Sequence, residues 1–137
     1  MNGDWDLTPD ISRKQRLGFD ETIFCASKTP DQINRLLQAA LRTEEPLLLT
    51  RLDSEKFSAL SSELSEQLDY DEVSQTAVLG HLPASEDTPR VAIVSAGSSD
   101  VRVAREAART LQYYRVGVHE IYDVGVAGLW RLLDRVE

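Results

Sequence analysis

The residues with the types and spacing for chemistry are Ser95-Ala-Gly-Ser-Ser-Asp100, which follow the apolar run 91–94 and precede an alanine-rich amphipathic stretch to Leu111. A strand, a tight turn and a helix N-terminus in that order make a phosphate site. Small residues let the backbone close on a ligand, and the unpaired N–H groups and dipole of the first helical turn attract an anion. Ser98 and Ser99 would donate to phosphate oxygens. Asp100 would repel a phosphate that it faced, so it is expected to accept from backbone N–H groups or a ribose hydroxyl. The same residue types also serve plain helix capping, and that reading stays open.

A second turn, Asp123-Val-Gly-Val-Ala-Gly128, opens the last helical stretch. Taken alone, Gly125 and Gly128 need only permit a sharp strand-to-helix turn. Taken with the first turn, they should lie on the same edge of a parallel sheet, where open α/β sheets bind ligands. The expected crevice has Ser95, Gly97, Ser98, Ser99 and Asp100 on one side and Asp123, Gly125, Ala127 and Gly128 on the other. No residue of the chain is assigned a catalytic role. Cys25 has no nearby histidine in the sequence and reads as a small buried hydrophobe. His81 and His119 are isolated, and no carboxylate spacing around them resembles a metal site. Arg51 reads as a surface ion pair, with contact to an anion as the alternative. Asp4, Asp6 and Asp10 read as a solvated acidic end.

Composition bounds the partners. The 137 residues carry a net charge of −8, with 42% hydrophobic and 28% charged residues, ordinary for a globular chain. That charge and a pI near 4.8 argue against nucleic acid or an anionic membrane as a general partner, since both need clustered Lys and Arg. A single cysteine rules out an internal disulfide framework and makes a reducing cytoplasm the expected compartment. No run approaches membrane-span length, and the acidic first ten residues have no signal-peptide character.

The elements that position these residues follow from periodicity. Residues 1–20 form a lead-in with two apolar anchors, Leu7 and Leu17. Residues 21–26 are β-prone, and Thr29-Pro-Asp-Gln32 is a capping box with proline at the first helical position. Ile33, Leu36, Leu37, Ala40 and Leu41 then make a core-facing stripe. A strand at 47–50, a helix capped by Asp53 with Phe57, Leu60 and Leu64 inward, and a weaker strand at 75–80 complete a small α/β domain over 21–80. Residues 81–89 are polar and proline-flanked, as a linker should be. From residue 90, a strand at 91–94 covered on both faces leads to a helix. That helix should bury Val101, Ala104, Ala107, Ala108 and Leu111 and turn Arg102, Arg105, Glu106 and Arg109 outward. A crossover to a strand at 116–122 predicts a parallel, right-handed βαβ unit, and Leu129, Leu132, Leu133 and Val136 mark a final helix.

Val91-Ala-Ile-Val-Ser-Ala-Gly-Ser-Ser-Asp100 and Ile121-Tyr-Asp-Val-Gly-Val-Ala-Gly128 resemble the first two strand-turn-helix segments of the pyridinium-3,5-biscarboxylic acid mononucleotide synthase (LarB) family. Arg16-Leu-Gly-Phe-Asp-Glu-Thr-Ile-Phe24, Lys28-Thr-Pro-Asp-Gln-Ile33 and Thr50-Arg-Leu-Asp-Ser-Glu-Lys56 resemble its N-terminal domain. The family opens the nickel-pincer nucleotide pathway of lactate racemase maturation, and its C-terminal domain resembles the PurE-type aminoimidazole ribonucleotide carboxylase/mutase.

The resemblance implies an α/β chain with a small N-terminal domain and the first part of a PurE-like, flavodoxin- or Rossmann-like parallel-sheet domain over 90–137. It implies nicotinic acid adenine dinucleotide and CO2 or bicarbonate as substrates, with Mg2+ as the accompanying ion, and no covalently bound cofactor. The nine turn residues named above would bind the nucleotide, and the PurE-like domain would form a homo-oligomer. The family's nucleophilic cysteine lies downstream in its C-terminal domain, and Cys25 does not match its motif. The chain is therefore expected to be incomplete, as a truncated product, a fragment or one half of a split enzyme, and inactive alone. The alternatives are a PurE-related ribotide carboxylase/mutase of purine synthesis and a non-catalytic nucleotide-binding module.

Overall fold

A computed structural model describes residues 21–44, 46–84 and 88–135. The expected lead-in with Leu7, Leu17 and the acidic cluster, the first five residues of the Arg16–Phe24 segment, linker residues 85–87 and Val136 lie outside the described residues. The structure is mixed α/β. It divides into two compact units, one of Met1–Tyr70 with Ala77–His81 and the other of Asp71–Thr76 with Leu82–Glu137.

The first unit begins with strand β1 (Thr22–Phe24) and helix α1 (Pro30–Thr43). The capping box forms: Gln32 N donates to Thr29 Oγ1 at 3.3 Å, and Thr29 N donates to Gln32 Oε1 at 3.0 Å. Two otherwise orphaned N–H groups are satisfied this way, which fixes where the helix begins. Ile33, Leu36, Leu37 and Ala40 are buried along one face, as the stripe requires. The helix ends at Glu44 in the left-handed region (φ 54°), its N–H donating to the Ala40 carbonyl.

Strand β2 (Leu48–Thr50) follows and pairs in parallel with β1. Two features depart from the sequence expectation. The Asp53-capped helix is two short helices, α2 (Ser54–Ser58) and α3 (Ser62–Ser65). The Asp53 cap is present, with Lys56 N donating to Oδ1 at 2.8 Å, but Leu60 N already reaches only to the Phe57 carbonyl, and the helix tightens and stops. Serines 58, 61 and 62 surround the break, and serine competes for backbone partners in a helix interior.

The second departure is an additional strand, β3 (Leu68–Asp71), ahead of the expected β4 (Thr76–Leu79). The sheet order is β1-β2-β4-β3, with β4 antiparallel to β2. Tyr70 of β3 stacks on Phe57, ring centroids 4.0 Å apart, and its hydroxyl donates to the Leu52 carbonyl at 3.0 Å. The core lies between this sheet and the helices, built from Ile23, Ile33, Leu37, Leu49, Leu52 and Leu64 among others.

Cys25 belongs to that core. It is fully buried, and its thiol donates to the Ile23 carbonyl at 3.6 Å. Burial pushes the thiol up to about 12, and the charges of Lys56 and Lys28 offset only part of this. Because the folded value lies above the ordinary 9.0, burying the neutral thiol favours folding below pH 9, and that contribution is lost as pH rises toward 12. Iodoacetamide at about pH 8 is therefore expected to leave the folded chain unlabelled and to modify Cys25 only after unfolding in urea. Native labelling at the rate of a free thiol, read by mass spectrometry, would contradict this placement.

The second unit contains strand β5 (Val91–Val94), helix α4 (Val101–Tyr113), strand β6 (Val118–Ile121) and the short helix α5 (Leu129–Leu133). β5 and β6 pair in parallel, Val91 with Val118 through Val94 with Ile121, as the crossover predicted. The expectation that β5 is covered on both faces fails: Val91 and Ile93 are half-buried, whereas Ala92 and Val94 are exposed. Helix α4 packs on the sheet, and among the described residues nothing covers Ala92 and Val94. Leu129 and Leu133 of α5 are likewise exposed.

The buried stripe of α4 is shifted from the predicted one. Ala104, Ala108, Arg109 and Tyr113 are buried, Ala107 is exposed and Leu111 half-buried. Arg105 and Arg109, expected outward, are engaged instead. Arg105 grips the Asp71 carboxylate through Nε and Nη2 at 2.8 Å, and Arg109 Nε donates to Thr76 Oγ1 at 2.8 Å. Ser74, fully buried, donates to Asp71 Oδ2 at 2.6 Å and meets Thr76 Oγ1 at 2.8 Å. Burial alone raises the Asp71 carboxyl, but the Arg105 and Ser74 hydrogen bonds and the Arg105 charge outweigh it and hold it well below the usual carboxylate range. A planar guanidinium can be buried when its fork meets fixed acceptors, and here the acceptors decide which way the helix turns.

Candidate functional site

The site residues gather at the carboxyl ends of β5 and β6. Past Val94 the chain enters Ser95, and its N–H donates to the Ile121 carbonyl at 3.0 Å, continuing the ladder by one step. Past Ile121, Val124 N donates to the Ser95 carbonyl at 3.1 Å and Gly125 N to the Ala96 carbonyl at 2.8 Å. The two turns are thus fastened backbone to backbone. Gly125 has φ −59°, a value any residue adopts, so conformation does not demand glycine there. Space does: a Cβ on Gly125 would lie 2.7 Å from the Ala96 carbonyl oxygen.

The first turn continues through Gly97 into a 3₁₀ turn, Ser98–Asp100, and then α4. Gly97 has φ −122° and ordinary spacing around it, so neither conformation nor space demands glycine there. Ser98, Ser99 and Asp100 are exposed, and no side-chain capping bond forms on the 3₁₀ turn or on α4. Plain capping therefore does not account for these polar residues. Ser95 is the opposite case, 5% exposed, with an Oγ that meets no hydrogen-bond partner among the described residues. A buried hydroxyl left unsatisfied costs about 1–3 kcal/mol.

On the second turn, Asp123 takes a left-handed backbone (φ 56°) and its carboxylate accepts from Arg131 Nη1 at 3.1 Å. Gly125 and Gly128 are half-buried and Ala127 is exposed. Arg131 was not singled out by sequence reasoning, although a cation eight residues after the turn aspartate, on the first turn of the following helix, was a readable signal. Just past β6, burial and a hydrogen bond to Glu120 push the Tyr122 phenol up to about 12.

The remaining candidates lie apart from this rim in their roles. Cys25 is in the core of the first unit. His81 and His119 are both exposed. Arg51 sits just past β2 in a left-handed backbone (φ 56°). Among the described residues, no group of three or more His, Cys, Asp or Glu side chains is placed to hold a metal ion, and no helix is long and apolar enough to cross a membrane.

Residues 7–81 match the model of the LarB/PurE-like N-terminal domain. The chain is also similar to uncharacterized protein MJ0165 of Methanocaldococcus jannaschii, with 28% identity over 138 aligned positions that cover 96% of this chain and 53% of that protein. It spans about half the length of this curated relative. With more than half of its residues inside the matched domain, the chain belongs to the LarB/PurE-like family.

Proposed function

We propose that the two fastened turns hold the phosphate and ribose of a nucleotide, and that this chain supplies the binding edge of a carboxylating synthase of the LarB type. The observation that carries the reading is the backbone pairing of Gly125 with Ala96, which sets two small-residue turns side by side at the carboxyl edge of parallel strands. The substrate would be nicotinic acid adenine dinucleotide, carboxylated on its pyridinium ring and cleaved at its phosphoanhydride to release AMP. Ser95, Gly97, Ser98, Ser99, Asp100, Asp123, Gly125, Ala127 and Gly128 would form the rim.

The chemistry sets a requirement. A pyridinium ring is too electron-poor to attack CO2, so a thiolate must first add to it and give an enamine-like dihydropyridine. That ring attacks CO2 and then loses a proton and the thiolate, which restores aromaticity. Cys25, the single cysteine of the 137 residues, is fully buried with its thiol pushed up to about 12, so these 137 residues do not supply the thiolate. The same burial favours a second reading for the chain by itself, a nucleotide-binding module without chemistry.

Calorimetric titration with nicotinic acid mononucleotide tests the rim. Binding is expected, with a roughly tenfold loss in the Ser98→Ala, Ser99→Ala double variant, the scale of hydrogen bonds to a charged group. Incubation with nicotinic acid adenine dinucleotide, bicarbonate and magnesium is expected to release no AMP. Equal affinity of the double variant, or AMP release by the 137 residues alone, would overturn the assignment of the rim or of the missing thiolate respectively.

A further inference from the structure

Trp130 takes no part in the phosphate rim, yet it lies against it. The residue is 64% exposed, and its indole Nε1 lies 3.1 Å from the point where a Gly128 side chain would begin. The bare Cα of Gly128 therefore lets the ring lie back over the second turn. Arg131 completes the arrangement, with its guanidinium carbon 5.6 Å from the indole centroid and its Nη1 3.1 Å from Asp123 Oδ1. Carboxylate, guanidinium and indole run in sequence along this turn, which is itself fastened to Ala96 of the first turn. The cation occupies one side of the ring. Most of the residue is exposed, which leaves ring surface open to solvent.

Leu129 and Leu133 are also exposed, at 54% and 60%, but they are aliphatic and nothing on the rim orients them. Trp130 differs on both counts: it has a π face, and the guanidinium of Arg131, itself paired with Asp123, lies over one side of it. We propose that the open face of Trp130 is the stacking platform for the planar heteroaromatic ring of the nucleotide. The inference rests on the reading of the two turns as a nucleotide site, and adds to it the residue that selects the base. Stacking on an aromatic side chain tolerates any base, because every base has a π face. Indole is the strongest π donor among the side chains, so an electron-poor cationic pyridinium should be held better than adenine.

The test uses the full chain with Trp5→Phe, which leaves Trp130 as the single indole. Nicotinic acid mononucleotide, AMP and ribose 5-phosphate are titrated by calorimetry and by tryptophan fluorescence. The two ring-bearing ligands are expected to quench Trp130, and the pyridinium ligand to add a charge-transfer absorption band that AMP does not give. Trp130→Ala should weaken both ring-bearing ligands about tenfold or more and leave ribose 5-phosphate unchanged, and Trp130→Phe should recover part of the loss. An unchanged affinity of Trp130→Ala for nicotinic acid mononucleotide would overturn the platform. So would an equal loss for ribose 5-phosphate, which marks a structural role. Binding of ribose 5-phosphate with no gain from either ring leaves the phosphate rim standing and removes the platform. Failure of all three ligands to bind the parent chain removes the rim as well.

Discussion

Gly125→Ala is expected to weaken ribotide binding more than tenfold while leaving most of the chain folded. The new Cβ would lie 2.7 Å from the Ala96 carbonyl oxygen, a distance that side-chain carbons do not tolerate, and the obstacle is backbone, which cannot rotate away. Relief requires the two turns to part, breaking the Gly125 N to Ala96 O bond. Overpacking of this kind costs about 1–3 kcal/mol. The functional effect should be larger than the stability effect, since the rim depends on both turns holding their places, and a loss of more than tenfold in affinity for nicotinic acid mononucleotide is expected. Gly80 is a useful contrast, with φ +85° and nothing within 4 Å, so there the objection to alanine is conformational. Wild-type affinity in Gly125→Ala would mean that the fastening of the turns is irrelevant to binding.

Leu37→Ala should have the largest effect on stability. Leu37 is fully buried near the middle of α1, within the core cluster that also holds Ile33, Leu49 and Leu52. Removing its branched end leaves a cavity that a sheet and a helix held by other contacts cannot close, at a cost of about 2–5 kcal/mol. Domain stabilities are about 5–15 kcal/mol, so the variant should be close to unfolding at ambient temperature. Urea titration followed by circular dichroism should show a much lower midpoint, with Leu133→Ala, at a position 60% exposed, changing it by no more than about 0.5 kcal/mol. A small shift in Leu37→Ala would show that α1 is not the organising element of the core.

Much of this was legible in the sequence because the signals were local. The Thr29 and Gln32 pair fixed the start of α1, and the spacing of Ile33, Leu36, Leu37 and Ala40 fixed its buried face. The run Val91–Val94 followed by small residues located the first turn of the rim. What escaped was set by partners distant in sequence. Leu68-Asp-Tyr-Asp71 alternates with the period of a strand, but four residues with two charges also read as loop, and the Phe57 ring and the Leu52 carbonyl that Tyr70 meets lie well upstream in the chain. Arginines at 105 and 109 looked like a solvated face because their acceptors, Asp71 and Thr76, lie more than thirty residues away. At the rim, residue types could suggest that two turns share an edge. They could not show that the Ser95 hydroxyl is buried with no partner among the described residues, that Asp123 is engaged by Arg131, or that an indole lies over Gly128.

The membership of Asp71–Thr76 in the second unit bears on how such a chain can be dissected. The polar, proline-flanked stretch at 81–89 invites a cut, and a polypeptide begun at Leu82 would have every strand and helix of the second sheet. It would also be missing the carboxylate that Arg105 grips and the hydroxyl that Arg109 reaches, although α4, which carries both arginines, begins directly at the first turn of the rim. The second unit is therefore discontinuous in sequence. A recombination or gene split within residues 81–89 would separate α4 from its acceptors, whereas one that carried residues 71–76 along would have to take the edge of the first sheet too.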